Sequence, residues 1–293
     1  MRQYKGDIML LTAAAVGGTG FVFLKYLLEM GYSAFQIIMV RFLIATVLLC
    51  IVYCKQLKQI TIQEYINGAI LGIFLFWGFV LLTVGLQYTT PSINAFLGSL
   101  SAIVVPFILW GIFHKKPNRN CFIAVAFTMV GIVLLSDASG LYNGIGMILS
   151  FSASVAFAFQ VSYTDRFLES GDAVRLALIE HIIVLVLSSL LVLRQIKKAA
   201  FPLFTPSAIK YFLLLGIFCT AIYFLLQSIG QKYTKPSSAA IILTTESVFA
   251  SIFAAVLYGE RLSFKEYVGC TMIFFAVILA EKKPKINRTE NNS

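Results

Sequence analysis

Apolar residues in this chain neither alternate nor fall into a narrow helical stripe. They run on in long blocks, separated by short clusters of charged and turn-forming residues. Ten such blocks lie near 8–28, 36–54, 63–84, 94–113, 121–137, 145–163, 174–193, 210–229, 238–258 and 264–281. A helix that crosses the hydrocarbon layer needs about 20 mainly apolar residues, so the pattern predicts an all-α polytopic membrane protein with ten transmembrane helices. The stretches between the blocks are too short to fold as a separate soluble domain. The start, with Arg2, Lys5 and Ala13 to Ala15, resembles a cleavable signal, but its apolar core before the alanines is only a few residues long and it is read as the first helix.

The chain also repeats itself. A shift of 145 lays Gly230, Tyr233, Thr234, Pro236, Ser237 and Ala240 over Gly85, Tyr88, Thr89, Pro91, Ser92 and Ala95 without a gap (233 − 88 = 145). In both copies a Tyr-Thr-x-Pro-Ser turn introduces an apolar helix, a short turn and another apolar helix. The second copy restarts at Gly144-Ile-Gly146, over Gly6 at a shift of 138; with a two-residue gap, Gly171 falls on Gly31 and His181 on Arg41 (181 − 41 = 140). A duplicated membrane protein is expected: a first five-helix repeat at 6–138, a second at 143–282 and a basic, polar tail at 283–293.

Composition agrees. The chain is 59% hydrophobic and 12% charged with a mean hydropathy of +0.88, against about half apolar and a quarter charged in soluble domains. Its net charge of +10 reads as a topology signal and a basic tail beside anionic lipid, not as nucleic-acid binding. Arg2, Lys5, Lys55, Lys58, Lys115, Lys116 and Arg119 all fall on one face, while the second half is mixed: Arg194, Lys197, Lys198, Lys210, Arg261 and Lys265 fall opposite. Both termini are expected on the cytoplasmic side of the cell membrane. The five cysteines, Cys50, Cys54, Cys121, Cys219 and Cys270, show no paired spacing, and no metal, disulfide framework or cofactor is expected. No phosphate-binding Gly-x-x-x-x-Gly-Lys loop occurs, so ATP is not the direct energy source.

Polar residues inside apolar blocks are costly, and they mark function by default. Gly17-Gly-Thr-Gly20 lies near mid-membrane, for close packing or a flexible gate. Arg41 either snorkels outward or faces protein, and both readings stay open. Trp77 follows Gly68 and Gly72. Asn94, Gly98, Ser101 and Val105 make one stripe, followed by a bend at Pro106. Glu180 and His181 sit near mid-membrane in the seventh block; Tyr223 and Gln227 are one turn apart in the eighth. Thr244, Ser247 and Ser251 share a face of the ninth, beside Glu246, which the shift of 145 sets over Ser101. Glu260-Arg261 reads as a water-solvated turn.

The stretch Pro236 to Glu281, with Thr-Thr-Glu246-Ser-Val-Phe-Ala and Tyr258-Gly-Glu-Arg-Leu, together with Arg41-Phe-Leu-Ile-Ala45 and Phe96 to Pro106, resembles the EamA-type branch of the drug/metabolite transporter superfamily. The likeness covers about residues 6–282. The chain departs from that pattern at Ser247, where proline is usual, at His114-Lys115 and at Gly17. The resemblance implies two five-helix halves. Five is odd, so the second half is inverted, an arrangement whose interface holds the substrate near the midplane.

The expected function is a secondary transporter, exporting an amino acid or a related amphipathic metabolite by alternating access. A polytopic enzyme acting on lipid or isoprenoid, or a non-transporting membrane subunit, is the alternative. The expected site lies between the fourth and ninth helices, with Trp77, Tyr223 and Gln227 as walls and Asn94, Ser101, Thr244 and Glu246 as polar contacts. Arg41, Glu180 and His181 are the coupling or gating candidates. Besides the small-molecule substrate and membrane lipid, the candidate partner is a proton: Glu246 can bind an amine when ionised and release it when protonated.

Overall fold

A computed structural model describes residues 2–114, 116–117, 119–136, 140–168, 171–195, 202–234 and 236–281. The tail at 283–293 and several loop cations of the charge argument (Lys115, Lys197, Lys198, Lys235 and Lys282) lie outside them. The described residues contain no strand. The helices are α1 (Arg2–Glu29), α2 (Ala34–Val52), α3 (Cys54–Leu57), α4 (Ile62–Gln87), α5 (Pro91–Gly98), α6 (Ser101–Phe113), α7 (Arg119–Ser136), α8 (Gly140–Leu168), α9 (Ala173–Gln195), α10 (Pro206–Leu213), α11 (Tyr223–Tyr233), α12 (Pro236–Phe253) and α13 (Phe264–Glu281). Two π-helical segments, Leu214–Ile222 and Ala254–Tyr258, run on from α10 and α12.

Each of the ten apolar blocks is helical, though the helices differ in kind. Seven are long and apolar enough to cross a membrane, and Arg119–Leu135 and Ile242–Tyr258 are shorter apolar helices. Large apolar side chains lie outermost: Val256 is 74% exposed, Val133 65% and Leu193 63%. Water would penalise that surface, whereas lipid tails match it.

The turns carry the chemistry that starts helices. Ser33 with Gln36 and Thr61 with Glu64 form reciprocal capping boxes at α2 and α4, and Thr90 and Thr205 cap α5 and α10 ahead of Pro91 and Pro206. Each satisfies backbone N–H groups that have no partner within the helix. The fourth apolar block, expected as one helix carrying a single stripe, is instead divided at Ser99 and Leu100 between α5 and α6.

Helices α1 and α12, α1 and α11, α4 and α8, α4 and α9, α2 and α9, and α7 and α13 pack most extensively. Glycines allow several of these crossings. A Cβ at Gly230 would stand 3.1 Å from the carbonyl oxygen of Gly6, one at Gly85 3.1 Å from that of Gly146, and one at Gly131 2.9 Å from that of Gly269. Without hydrophobic drive between helices in lipid, such close backbone contact supplies much of the attraction.

The end where α1, α4 and α12 finish is fastened by side chains. Lys25 Nζ donates to the Leu86 and Thr89 carbonyls at 2.9 and 3.0 Å, a cation on the closing turn of α4. Glu260 is not the solvated turn residue expected: its Oε2 accepts from Ser92 Oγ at 2.9 Å and Ser92 N at 3.2 Å, placing a carboxylate on the opening turn of α5. The hydroxyls of Tyr26 and Tyr258 donate to the Leu257 carbonyl and to Glu29. At the opposite end, Thr234 Oγ1 donates to Asp7 at 2.9 Å, and Arg175 pairs with Glu64 at 2.7 Å.

Candidate functional site

Arg41 does not snorkel to the surface. Its Nε donates to Thr220 Oγ1 at 2.6 Å and an Nη to the Cys219 carbonyl at 2.9 Å, both in the Leu214–Ile222 π-helical segment. The wider turn matters here, because its Thr220 hydroxyl reaches back five residues to the Leu215 carbonyl (2.9 Å) and presents its oxygen to the guanidinium. The guanidinium carbon stands 4.6 Å from the Phe79 ring centroid and 5.9 Å from that of Phe42, within cation–π range.

Glu246 lies on the neighbouring wall. Tyr223, the first residue after the π-helical segment, donates its hydroxyl to Glu246 Oε2 at 2.9 Å. Both fit because position 17 has no side chain: a Cβ there would lie 2.8 Å from Glu246 Oε1 and 2.8 Å from the Tyr223 ring. Next to it, Gly18 admits the backbone of α12 at Ala250. No ion pair joins Arg41 and Glu246 among the described residues.

Glu180 and His181 are adjacent in sequence and therefore point about 100° apart around α9. Glu180 accepts from Gln160 Nε2 at 2.7 Å, which ties it to α8. His181 turns the other way. It is 1% exposed, its Nδ1 lies 2.7 Å from the Ala177 carbonyl, and its ring packs on Phe42 at 5.3 Å and Phe224 at 4.7 Å. Phe224 meets Tyr223 edge-on at 5.3 Å, so His181 bridges the Arg41 and Glu246 walls.

The remaining expected residues divide. Gln227 lies one turn beyond Tyr223, with a buried Oε1 that has no partner among the described residues. Thr244 is buried on α12, its carbonyl accepting from Ser247. Trp77 is 50% exposed, edge-on to Phe76, and is not a wall of this group. Asn94 is wholly buried elsewhere: its Nδ2 donates to the Leu82 carbonyl and to Ser150 Oγ, fastening α5 to α4 and α8. Ser101 opens α6 where Leu100 and Ile103 join an apolar cluster with Ile273 and Val277. Thus α5 does meet α12, but the ionisable side chains gather on the α1, α2 and α11 side of α12. Sequence reasoning missed Thr220, Phe79 and Phe224, and it read Cys219 only as apolar filling. A hydroxyl three residues before Tyr223-Phe224 in an apolar helix was a visible signal for Thr220 alone.

Comparison with known proteins places this architecture. The sequence profile of the EamA-like transporter family matches residues 4–137 and again 144–281. The chain belongs to the EamA-like transporter family. It is 29% identical over 286 residues to an uncharacterized transporter of Archaeoglobus fulgidus, covering 95% of this chain and 86% of that one. Uncharacterized transporter YetK of Bacillus subtilis is 22% identical over 97% of this chain and 89% of its own length. A solved crystal structure superposes with a TM-score of 0.62 at 14% identity, over 92% of this chain and 96% of its own, a likeness of fold alone. This EamA-like protein is thus a multi-pass membrane transporter, working on a small molecule in a lipid setting.

Proposed function

We propose that this EamA-like protein is a secondary transporter that exports a zwitterionic or amphipathic metabolite, of amino-acid type, across the cell membrane, with both termini cytoplasmic. One observation carries the substrate class: Arg41 and Glu246 are opposite charges within the hydrocarbon span, each held by neutral partners and neither paired with the other. Isolated charges there are expensive. A ligand bearing a carboxylate for Arg41 and an ammonium for Glu246 offsets both costs at once. The proton is the candidate coupling ion, through Glu246.

Alternating access rests on two inverted five-helix repeats, 6–138 and 143–282. What supports them is a set of contacts that exchange partners. Gly6 meets Gly230, and Gly146 meets Gly85; these are the same pair under shifts of 140 (146 − 6), which sets Gly146 rather than Gly144 over Gly6, and 145 (230 − 85). Gly72 packs on Ile183 as Gly216 packs on Ile44, and Gly131 meets its own counterpart Gly269. Between Gly216 and Gly230 the second repeat holds one residue more than between Gly72 and Gly85. The Leu214–Ile222 π-helical segment absorbs it.

The N-caps refine the register. Ser33 caps α2 and Asp172 caps α9, a shift of 139 (172 − 33), so Arg41 corresponds to Glu180 rather than to His181. Phe42 then corresponds to His181, and the two are in contact.

The test is counterflow of labelled amino acids and amines in proteoliposomes. Glu246→Gln should lower transport of zwitterions at least tenfold and Arg41→Met likewise, with both variants folded. Equal rates in Glu246→Gln and the parent across pH 5 to 8 would discard the site and its coupling. A requirement for ATP would discard the secondary mechanism.

A further inference from the structure

His181 has one more feature. Its Nδ1 faces the Ala177 carbonyl, which only accepts, so Nδ1 carries the proton and donates. In the neutral ring Nε2 is therefore an acceptor, and a second proton would add another cation within the span beside Arg41, which is costly. Nε2 is buried and has no partner among the described residues. The ring packs on Phe42 of α2 at 5.3 Å and on Phe224 of α11 at 4.7 Å, so Nε2 lies in the space where α9 meets those two helices. Gln227 Oε1, one turn past Tyr223 on α11, is another buried acceptor without a partner among the described residues. A buried acceptor left empty is uncommon in folded proteins. His181 Nε2 and Gln227 Oε1 are thus acceptors without a protein donor near the Tyr223–Glu246 pair, and a ligand that fills them must bring donors of its own, besides the acceptor that Arg41 calls for.

We propose that His181 Nε2 reads a hydrogen-bond donor on the substrate's side chain, so that the preferred substrates carry a hydroxyl or N–H there in addition to their charged ends. This rests on the zwitterion site proposed above. Sites built to bond a substrate donor discriminate strongly against analogues lacking it, because the acceptor is then left unpaired in a dry setting. His181 is thereby a specificity-determining residue, and Phe42 and Phe224 hold its ring in place.

Counterflow competition with matched pairs tests it: L-threonine against L-valine, L-tyrosine against L-phenylalanine, L-glutamine against L-methionine. The parent protein should prefer the donor-bearing member of at least one pair by about tenfold or more. His181→Phe, which keeps the aromatic packing and removes the acceptor, should bring that pair to within about twofold, by loss on the donor-bearing member alone. His181→Gln, which restores an acceptor, should recover part of the preference. Transport of both members without preference, or a preference unchanged in His181→Phe, overturns the proposal and leaves the zwitterion reading standing. If the parent moves no member of the panel, the zwitterion reading falls and this proposal falls with it. The chain has two histidines, His114 and His181, so histidine-selective nitrogen-15 NMR with His114→Asn isolates one signal set. The Nε2 signal of a neutral, Nδ1-protonated ring should shift when the preferred donor-bearing amino acid is added and not with its donor-free match; a protonated Nε2, or one that does not respond, overturns the proposal.

Discussion

A methyl group at Gly17 would stand 2.8 Å from Glu246 Oε1 and 2.8 Å from the Tyr223 ring, so the empty position is a requirement of the site rather than of the helix. Overpacking of this kind costs about 1–3 kcal/mol. Gly17→Ala should therefore lower the melting temperature of the purified protein modestly and, by displacing the carboxylate, reduce counterflow at least tenfold. A fully active variant would mean that Glu246 does not meet substrate in this position. Arg41→Lys makes the companion prediction. Lysine keeps the charge but not the planar fork that reaches Thr220 and the Cys219 carbonyl together, so it should fold yet transport poorly; parental rates would show that charge alone suffices. Arg41, Tyr223, Glu246 and His181 were legible in the sequence because a polar residue in an apolar block needs a reason. Trp77 was not, because an amphipathic ring in such a block fits a cavity wall or a lipid-facing surface equally well, and only packing separates them.

Among the elements, the π-helical segment Leu214–Ile222 is one that the hydropathy pattern could not reveal: α and π turns bury the same residue types, and only the one-residue excess of the proposed second repeat betrays it. Deleting Phe218, which is 45% exposed, should let the segment relax to α-helix with the flanking crossings intact. The expected product is folded, with Cys219 and Thr220 no longer presented to Arg41, and so inactive in counterflow; retained transport would make the wide turn incidental. Helix caps were legible as residue types, and the α5–α6 division was not, since Ser99 and Leu100 keep helical backbone angles. The turn at Glu260 gives a pH prediction. Burial raises the Glu260 carboxyl above its ordinary value, ahead of the opposing bonds from Thr90 and Ser92. The folded protein thus holds that proton more tightly than the unfolded chain, so the contribution is present below the ordinary carboxylate value and is lost as pH rises through the raised one. Glu260→Gln keeps an acceptor for Ser92 and should flatten the decline in melting temperature over that window; an unchanged slope would assign it to another group.

On the scale of the whole molecule, the hydropathy blocks made the all-helical, membrane-crossing character readable, while the proposed register of two halves rests on the caps and the glycine crossings. Cysteines introduced singly at position 31, in the turn before α2, and at position 59, in the turn after α3, with the exposed Cys54 replaced by serine, should react with an impermeant thiol reagent from opposite faces, position 31 from outside. Labelling of both from one face would remove the proposed topology. The fastening at the two ends carries a final consequence. Lys25 and Glu260 grip the ends of α4 and α5 at one extremity, while Thr234–Asp7 and Arg175–Glu64 hold the other, so opening one side does not break the same bonds as opening the other. Under the alternating access proposed above, the two resting orientations are held by different bonds and are expected to be unequally occupied. Under alternating access, half-saturation and maximal velocity must then differ between the two directions of net flux, while the Haldane relation keeps the ratio of their quotients tied to the driving gradient alone.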